Sequence, residues 1–77
     1  MRYITKTAIL NYPNTETERI ATSPYRAAET AAAATHKAYW VQKGGVIVKN
    51  IDGEYENFVV MSGNMAVGAI QVNKLPI

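Results

Sequence analysis

One stretch governs what this chain can fold into: Ser23-Pro24 followed by Tyr25 to Ala38, a run dominated by alanine. Alanine has the highest helix propensity, serine is a preferred N-cap, and proline suits the first helical position, where a missing N–H costs nothing. Position N3 is Arg26, so the reciprocal capping box, which needs Glu or Gln there, is absent. Ala27, Ala28, Ala31, Ala34, Thr35 and Ala38 recur at three- and four-residue spacing and form one face. Arg26, Glu29, Thr30, Ala33, His36 and Lys37 form the other. A face of such small side chains lets the helix axis lie close to whatever it covers. Gly44-Gly45 reads as the helix stop, with Gly44 in the left-handed C′ position and Lys37 and Lys43 near the negative end of the dipole. The competing reading ends the helix near Tyr39 and leaves Trp40 to Lys43 extended.

The rest of the chain alternates strand-like runs with turn signals. Tyr3 to Leu10 is rich in β-branched residues, Asn11-Tyr12-Pro13-Asn14 is a turn, and Glu16 to Thr22 is a shorter, more polar strand. After the helix come Val46 to Ile51, an Asp52-Gly53 hairpin signal, Glu54 to Met61, a Ser62-Gly63-Asn64 turn and Met65 to Val72. Gly68, inside the last run, marks a bulge or a close approach of two backbones. The predicted order is β-β-α-β-β-β: one α+β domain over residues 1–77, with a single helix on one face of an antiparallel sheet of four to five strands. Val46/Val48 and Ile47/Ile51 put apolar residues on both sides of one strand, and Tyr55/Val59/Met61 and Phe58/Val60 do so on the next. One helix cannot cover both sides, so the open face is expected to expose apolar surface to a partner or a second copy.

With 77 residues there is room for one core and little more. The absence of cysteine excludes disulfides and thiolate metal sites and fits a reducing compartment. No apolar run approaches the roughly 20 residues that span a bilayer, and Met1 to Lys6 lacks the apolar stretch of a signal peptide. A cytoplasmic protein with no membrane association is therefore expected. The net charge of +2 is compatible with nucleic acid or an acidic protein surface, and falls short of the dense basic stripe of a dedicated DNA binder.

The residues that could carry catalysis each have a simpler use. His36 is the sole histidine, and neither a second histidine at helical spacing nor a cysteine accompanies it, so no metal and no cofactor is expected. Glu16/Glu18 and Glu54/Glu56 project in pairs from strand faces, where a hard cation or acid–base work would need them. Beside turns, however, such charges keep strand ends wet and sheet edges from pairing with other chains. Ser23 is a cap, Ser62 belongs to a turn, and the glycines match no phosphate-binding pattern. The chain reads as a binding protein without enzymatic activity. Arg26, His36, Lys37, Lys43, Lys49 and Tyr39 are its candidate partner-binding residues, since basic and aromatic side chains concentrate binding energy at interfaces.

A strand opening Tyr3-Ile4-x-Lys6, a second strand ending Ile20-Ala21-Thr22-Ser23, an alanine-spaced helix, a Gly-Val turn into Val46–Ile51 and an Asp-Gly hairpin together resemble the small phage-borne anti-CRISPR proteins of the type I-F class. The resemblance covers roughly Tyr3 to Phe58. It implies an inhibitor, acting in the bacterial host cell, that binds a multisubunit RNA-guided surveillance complex along its subunit backbone and blocks the path of target DNA. Basic helix residues would then contact the complex or nearby nucleic acid; Arg26 and Lys37 match that role here, with Lys49 behind them. Two other functions compete. A small nucleic-acid-binding domain, similar to the arm-binding part of phage integrases, would show affinity that falls steeply with salt, and eight basic residues offset by six acids predict weak binding. A regulatory homo-oligomer, such as a homodimer, would join through the open sheet face or an edge strand.

Overall fold

The computed structural model describes the backbone of residues 1–50 and 53–76 and the side chains of residues 1–44 and 53–76. Five strands and one helix follow in the order β1 (Arg2–Ile9), β2 (Thr15–Ile20), α1 (Pro24–Thr35), β3 (Tyr39–Asn50), β4 (Gly53–Ser62) and β5 (Met65–Lys74). The strands form one antiparallel sheet in the order β2-β1-β5-β4-β3, an α+β fold with a single helix on one face. β2 and β3 are its edges. β4 lies inside the sheet, so Glu54 and Glu56 do not guard an edge as expected, whereas Glu16 and Glu18 sit on one.

The helix starts where its cap places it. The Ser23 Oγ accepts the Arg26 backbone N–H at 3.2 Å, and Pro24 opens the first turn. Ala27, Ala28, Ala31 and Ala32 are fully buried beneath it. Ala34 is exposed and Ala38 lies outside the helix, so the buried stripe is shifted by part of a turn from the expected one. The helix packs over β3, β5, β1 and β4 and leaves the β2 edge outside its footprint. Phe58, Val60, Ile70, Val72, Val41, Tyr3 and Ile9 fill the space between helix and sheet. They supply the bulk that the alanines lack, and the burial of these apolar side chains is the main stabilising term.

Of the two helix stops read from the sequence, the earlier one, with Trp40 to Lys43 extended, is the one found, and the Gly44 stop is corrected. α1 ends at Thr35 with His36 as its extended C-cap, and Gly44 lies within β3. Once the alanines run out, Tyr39, Trp40 and Val41 are aromatic and β-branched and pair better as strand than as helix. The glycine answers a different need: a Cβ on Gly44 would lie 2.8 Å from the Asn57 carbonyl oxygen, beside the register shift between Lys43 and Ile47. Gly68 is a close approach of backbones, as read. A Cβ there would meet the Ala8 carbonyl oxygen at 2.4 Å and the Ile9 Cα at 2.7 Å. The hairpin signal at Asp52 lies outside the described residues; Gly53 takes φ 117°.

The inward face of β1 is half polar. Tyr3, Thr5, Thr7 and Ile9 alternate inward, and both threonines are buried. The Thr5 hydroxyl donates to the Thr17 carbonyl oxygen at 3.2 Å, and the Thr7 and Thr15 hydroxyls bond to each other. Their burial is thus compensated, as buried hydroxyls require.

The open sheet face is mixed. By register, one row across it runs Glu16, Lys6, Gln71, Asn57 and the next runs Glu18, Ile4, Asn73, Tyr55. Lys6 and Glu16 pair at 3.6 Å, Arg2 pairs with Glu18, and Gln71 donates to Asn73 at 2.9 Å. These two rows are wet and largely polar, while Ile20, 83 % exposed on the same face, keeps part of the apolar surface that residue counting suggested. Met61 is buried, and Val59 and Tyr55 are half-buried. Side chains between Val46 and Ile51, which carried the other half of that expectation, lie outside the described residues.

Candidate functional site: an aromatic end of the sheet

The six residues predicted to bind a partner do not form one surface. Arg26 stands in the first turn of α1, held by Glu29 at 3.0 Å. His36 caps the other end, about 15 Å away at 1.5 Å per residue, and Lys37 is exposed in the turn beyond it. The expected continuous Arg26–Lys37 helix face is therefore divided: Lys37 and His36 are not on the helix. Lys43 is an exposed residue of edge strand β3, far from the helix end it was expected to flank. The Lys49 side chain lies outside the described residues.

The structure does bring His36, Lys37 and Tyr39 together, and joins them to residues that charge-led reasoning missed. The β1–β2 turn, the segment from His36 to Trp40 and the β4–β5 turn all lie at the same end of the sheet, because Ile9 pairs with Gly68, and Ser62 pairs with both Met65 and Tyr39. Direct contacts lock them to one another. The Leu10 N–H donates to the Val67 carbonyl oxygen at 2.9 Å. The Tyr12 ring meets Tyr39 edge-on, centroids 6.3 Å apart, and His36 stacks obliquely on Tyr39 at 4.9 Å. The Trp40 indole N–H donates to the Gly63 carbonyl oxygen at 2.9 Å.

This end displays a concentration of exposed apolar side chains. Leu10 is 70 % exposed, Met65 66 %, Trp40 43 % and Tyr12 38 %. Each lies in or beside a turn. Asn11 takes φ 70° and Gly63 φ 60°, left-handed values that asparagine and glycine tolerate. The His36 Nδ1 accepts the Ala38 N–H at 3.1 Å, which fixes the ring against Tyr39. Partial burial pushes the Tyr39 phenol up from its ordinary value, and the neighbouring Tyr12 phenol acts in the same direction through like-charge repulsion and hydrogen bonding. Tyr39 thus stays a neutral hydrogen-bonding aromatic across the neutral range. Lys37 adds a positive charge at the rim. The signal that could have found this site was the turn-flanking position of Leu10, Tyr12 and Met65, apolar residues where turns are ordinarily polar.

Elsewhere the described residues offer little chemistry. No three of their His, Asp and Glu side chains come together as a metal would need. A depression of ≈ 470 Å³ on the open face is rimmed by Lys6 and Glu16, which neutralise each other. No helix among them is long and apolar enough to cross a membrane. Comparison with protein-family models, with curated proteins and with solved structures finds no match.

Proposed function

We propose that this chain is a protein-binding module that acts by occupying a partner's surface, without catalysis. The observation that carries the reading is the rigid apolar end: Leu10, Tyr12, Trp40 and Met65 exposed on three segments that are hydrogen-bonded or stacked together. Aromatic anchors held in one orientation lose little entropy on binding, and their desolvation supplies affinity. Three of the basic side chains, Arg2, Lys6 and Arg26, are paired with glutamates. That weighs against nucleic acid as the main partner, since phosphate contacts need free cations.

The resemblance to type I-F anti-CRISPR proteins supplies the specific form of this proposal: the partner is a bacterial type I RNA-guided surveillance complex, and binding blocks its access to target DNA. The test is a titration of purified type I surveillance complex with the tagged chain, reading complex formation by size-exclusion chromatography and target-DNA binding by gel shift. The expected result is a stoichiometric complex and loss of DNA binding, both abolished by Trp40→Ala with Leu10→Ser. Absence of a complex across several type I assemblies sinks the inhibitor form. Full binding by the double variant removes the aromatic end as the site.

A further inference from the structure

Arg19 is out of place for a surface cation. It lies on β2, on the helix side of the sheet, and is partly buried. Its Nε–H donates to the Thr5 hydroxyl at 3.1 Å. Its terminal amino groups have no bonding partner among the described residues, and no carboxylate is near enough to pair with it there. The other charges of β2 are settled on the opposite face, Glu16 with Lys6 and Glu18 with Arg2. Arg19 is thus the one uncompensated charge on this strand among the described residues.

It also lies in a groove. Because α1 covers the other four strands and not β2, a channel of ≈ 280 Å³ remains between them. Thr15, Thr17 and Arg19 line it from the strand, Ala31 and Ala34 from the helix, and Tyr12 closes one end. The alanines keep it open; larger side chains at those positions would fill it. β2 is an edge strand, so alternate backbone N–H and C=O groups along its outer side are free to pair. A bare edge, a groove on one side of it and a lone cation in that groove all meet on a single six-residue strand.

We infer that β2 accepts an extended segment of a protein partner as a sixth strand, with an acidic side chain of that segment entering the groove to pair with Arg19. Backbone pairing gives such an addition its affinity, and alternate side chains in pockets give it specificity. Of the side chains lining the groove, Arg19 carries the one charge, and the Thr15 hydroxyl is bonded to the Thr7 hydroxyl, so the guanidinium is the group that selects an acidic ligand. A second copy of this chain does not fit the same place with both helices on one side of a continuous sheet. Antiparallel pairing of that kind joins residues of like parity, and centred on Thr17 it sets Glu16 opposite Glu18 of the other copy, like charges that destabilise a sheet when directly opposed. It also places no carboxylate on the helix side, where the strand carries only Thr15, Thr17 and Arg19.

This inference rests on the reading of the chain as a protein-binding module, but the two surfaces share only Tyr12 and are probed by different variants, Trp40 and Leu10 for one and Arg19 for the other, so they fail separately. The probe is a phage-displayed library of random nonapeptides, selected on the intact chain. The expected outcome is enrichment of peptides with alternating β-branched residues and one fixed Asp or Glu. The best synthetic peptide should protect β2 amides from hydrogen exchange. Replacing its acid by the amide should weaken binding to the wild type about tenfold, the scale of one charge-assisted bond, and should change nothing on Arg19→Gln. Arg19→Lys keeps the charge and should retain a reduced preference for the acid, which covers the case of an unstable glutamine variant. Enriched peptides without an acid, equal losses on wild type and Arg19→Gln, protection confined to other strands, or no enrichment at all would each overturn the inference. So would millimolar sulfate binding at Arg19 that peptide cannot displace.

Discussion

The indole N–H of Trp40 donates to the Gly63 carbonyl oxygen at 2.9 Å, across the start of β3 and the turn between β4 and β5. The bond leaves the ring 43 % exposed yet fixed in direction. Trp40→Ala should therefore weaken partner binding by about 2 kcal/mol or more, as truncation of an interface anchor does. It should lower the stability of the free chain far less, because much of the ring is already in water. Calorimetric titration beside a thermal melt separates the two. A variant that melts early and binds normally would assign Trp40 to the fold.

Two glycines should respond differently to the same methyl group. Gly68→Ala forces a Cβ to 2.4 Å from the Ala8 carbonyl oxygen, between strands that cannot part without breaking the β1–β5 ladder. A loss well above 2 kcal/mol, or failure to fold, is expected, as for severe overpacking. At Gly63 a Cβ meets nothing within 4 Å, and only the φ of 60° opposes it. The cost there should be about 1 kcal/mol. Urea denaturation of both variants checks the order; equal losses would mean that the β1–β5 contact yields more easily than its spacing suggests.

The alanine stripe makes a similar paired comparison. Ala32 is fully buried and Ala33, its neighbour, is exposed. Ala32→Leu should destabilise by about 1–3 kcal/mol, because the helix would have to rise off the sheet. Ala33→Leu should stay within about 0.5 kcal/mol. Reversal of that order in denaturant midpoints would show that the helix is rotated from the face described.

Tyr39 predicts an alkaline response. Its phenol is raised from the ordinary value, first by desolvation and then by Tyr12. The folded chain therefore holds a proton that the unfolded chain releases. Stability from this residue is intact below the ordinary tyrosine value of about 10 and is lost as pH rises through the raised one. Tyr39→Phe should flatten the fall in stability above about pH 10. Identical pH profiles for the two proteins, followed by urea midpoints, would remove Tyr39 as a contributor.

Much of the fold was legible because it rests on local chemistry. The Ser23 cap, Pro24, the alanine run and the alternation in β1 each act through neighbours in sequence, and the β-β-α-β-β-β order follows from them. The helix end stayed open between Tyr39 and Gly44 because a glycine signals a stop, a bulge or a close approach equally well. Only the Asn57 carbonyl oxygen, brought near by the pairing of β3 with β4, decides which. The binding surface was misplaced for a related reason. Arg26, His36 and Lys37 look like one helical face only if the helix reaches them all, and it ends at Thr35.

The amino-acid sequence by itself determined the kind of molecule: one helix, strands on either side of it, no cysteine chemistry, and each polar residue with a ready structural use. Tertiary structure alone decided which surfaces are left over. Strand order placed β2 at an edge beyond the reach of the helix, and register gathered Leu10, Tyr12, Trp40 and Met65 at one end. These are long-range outcomes of packing a single narrow helix on a five-stranded sheet. Their physical cause is that the helix covers less width than the sheet presents, and no local pattern records on which side the uncovered strand will fall.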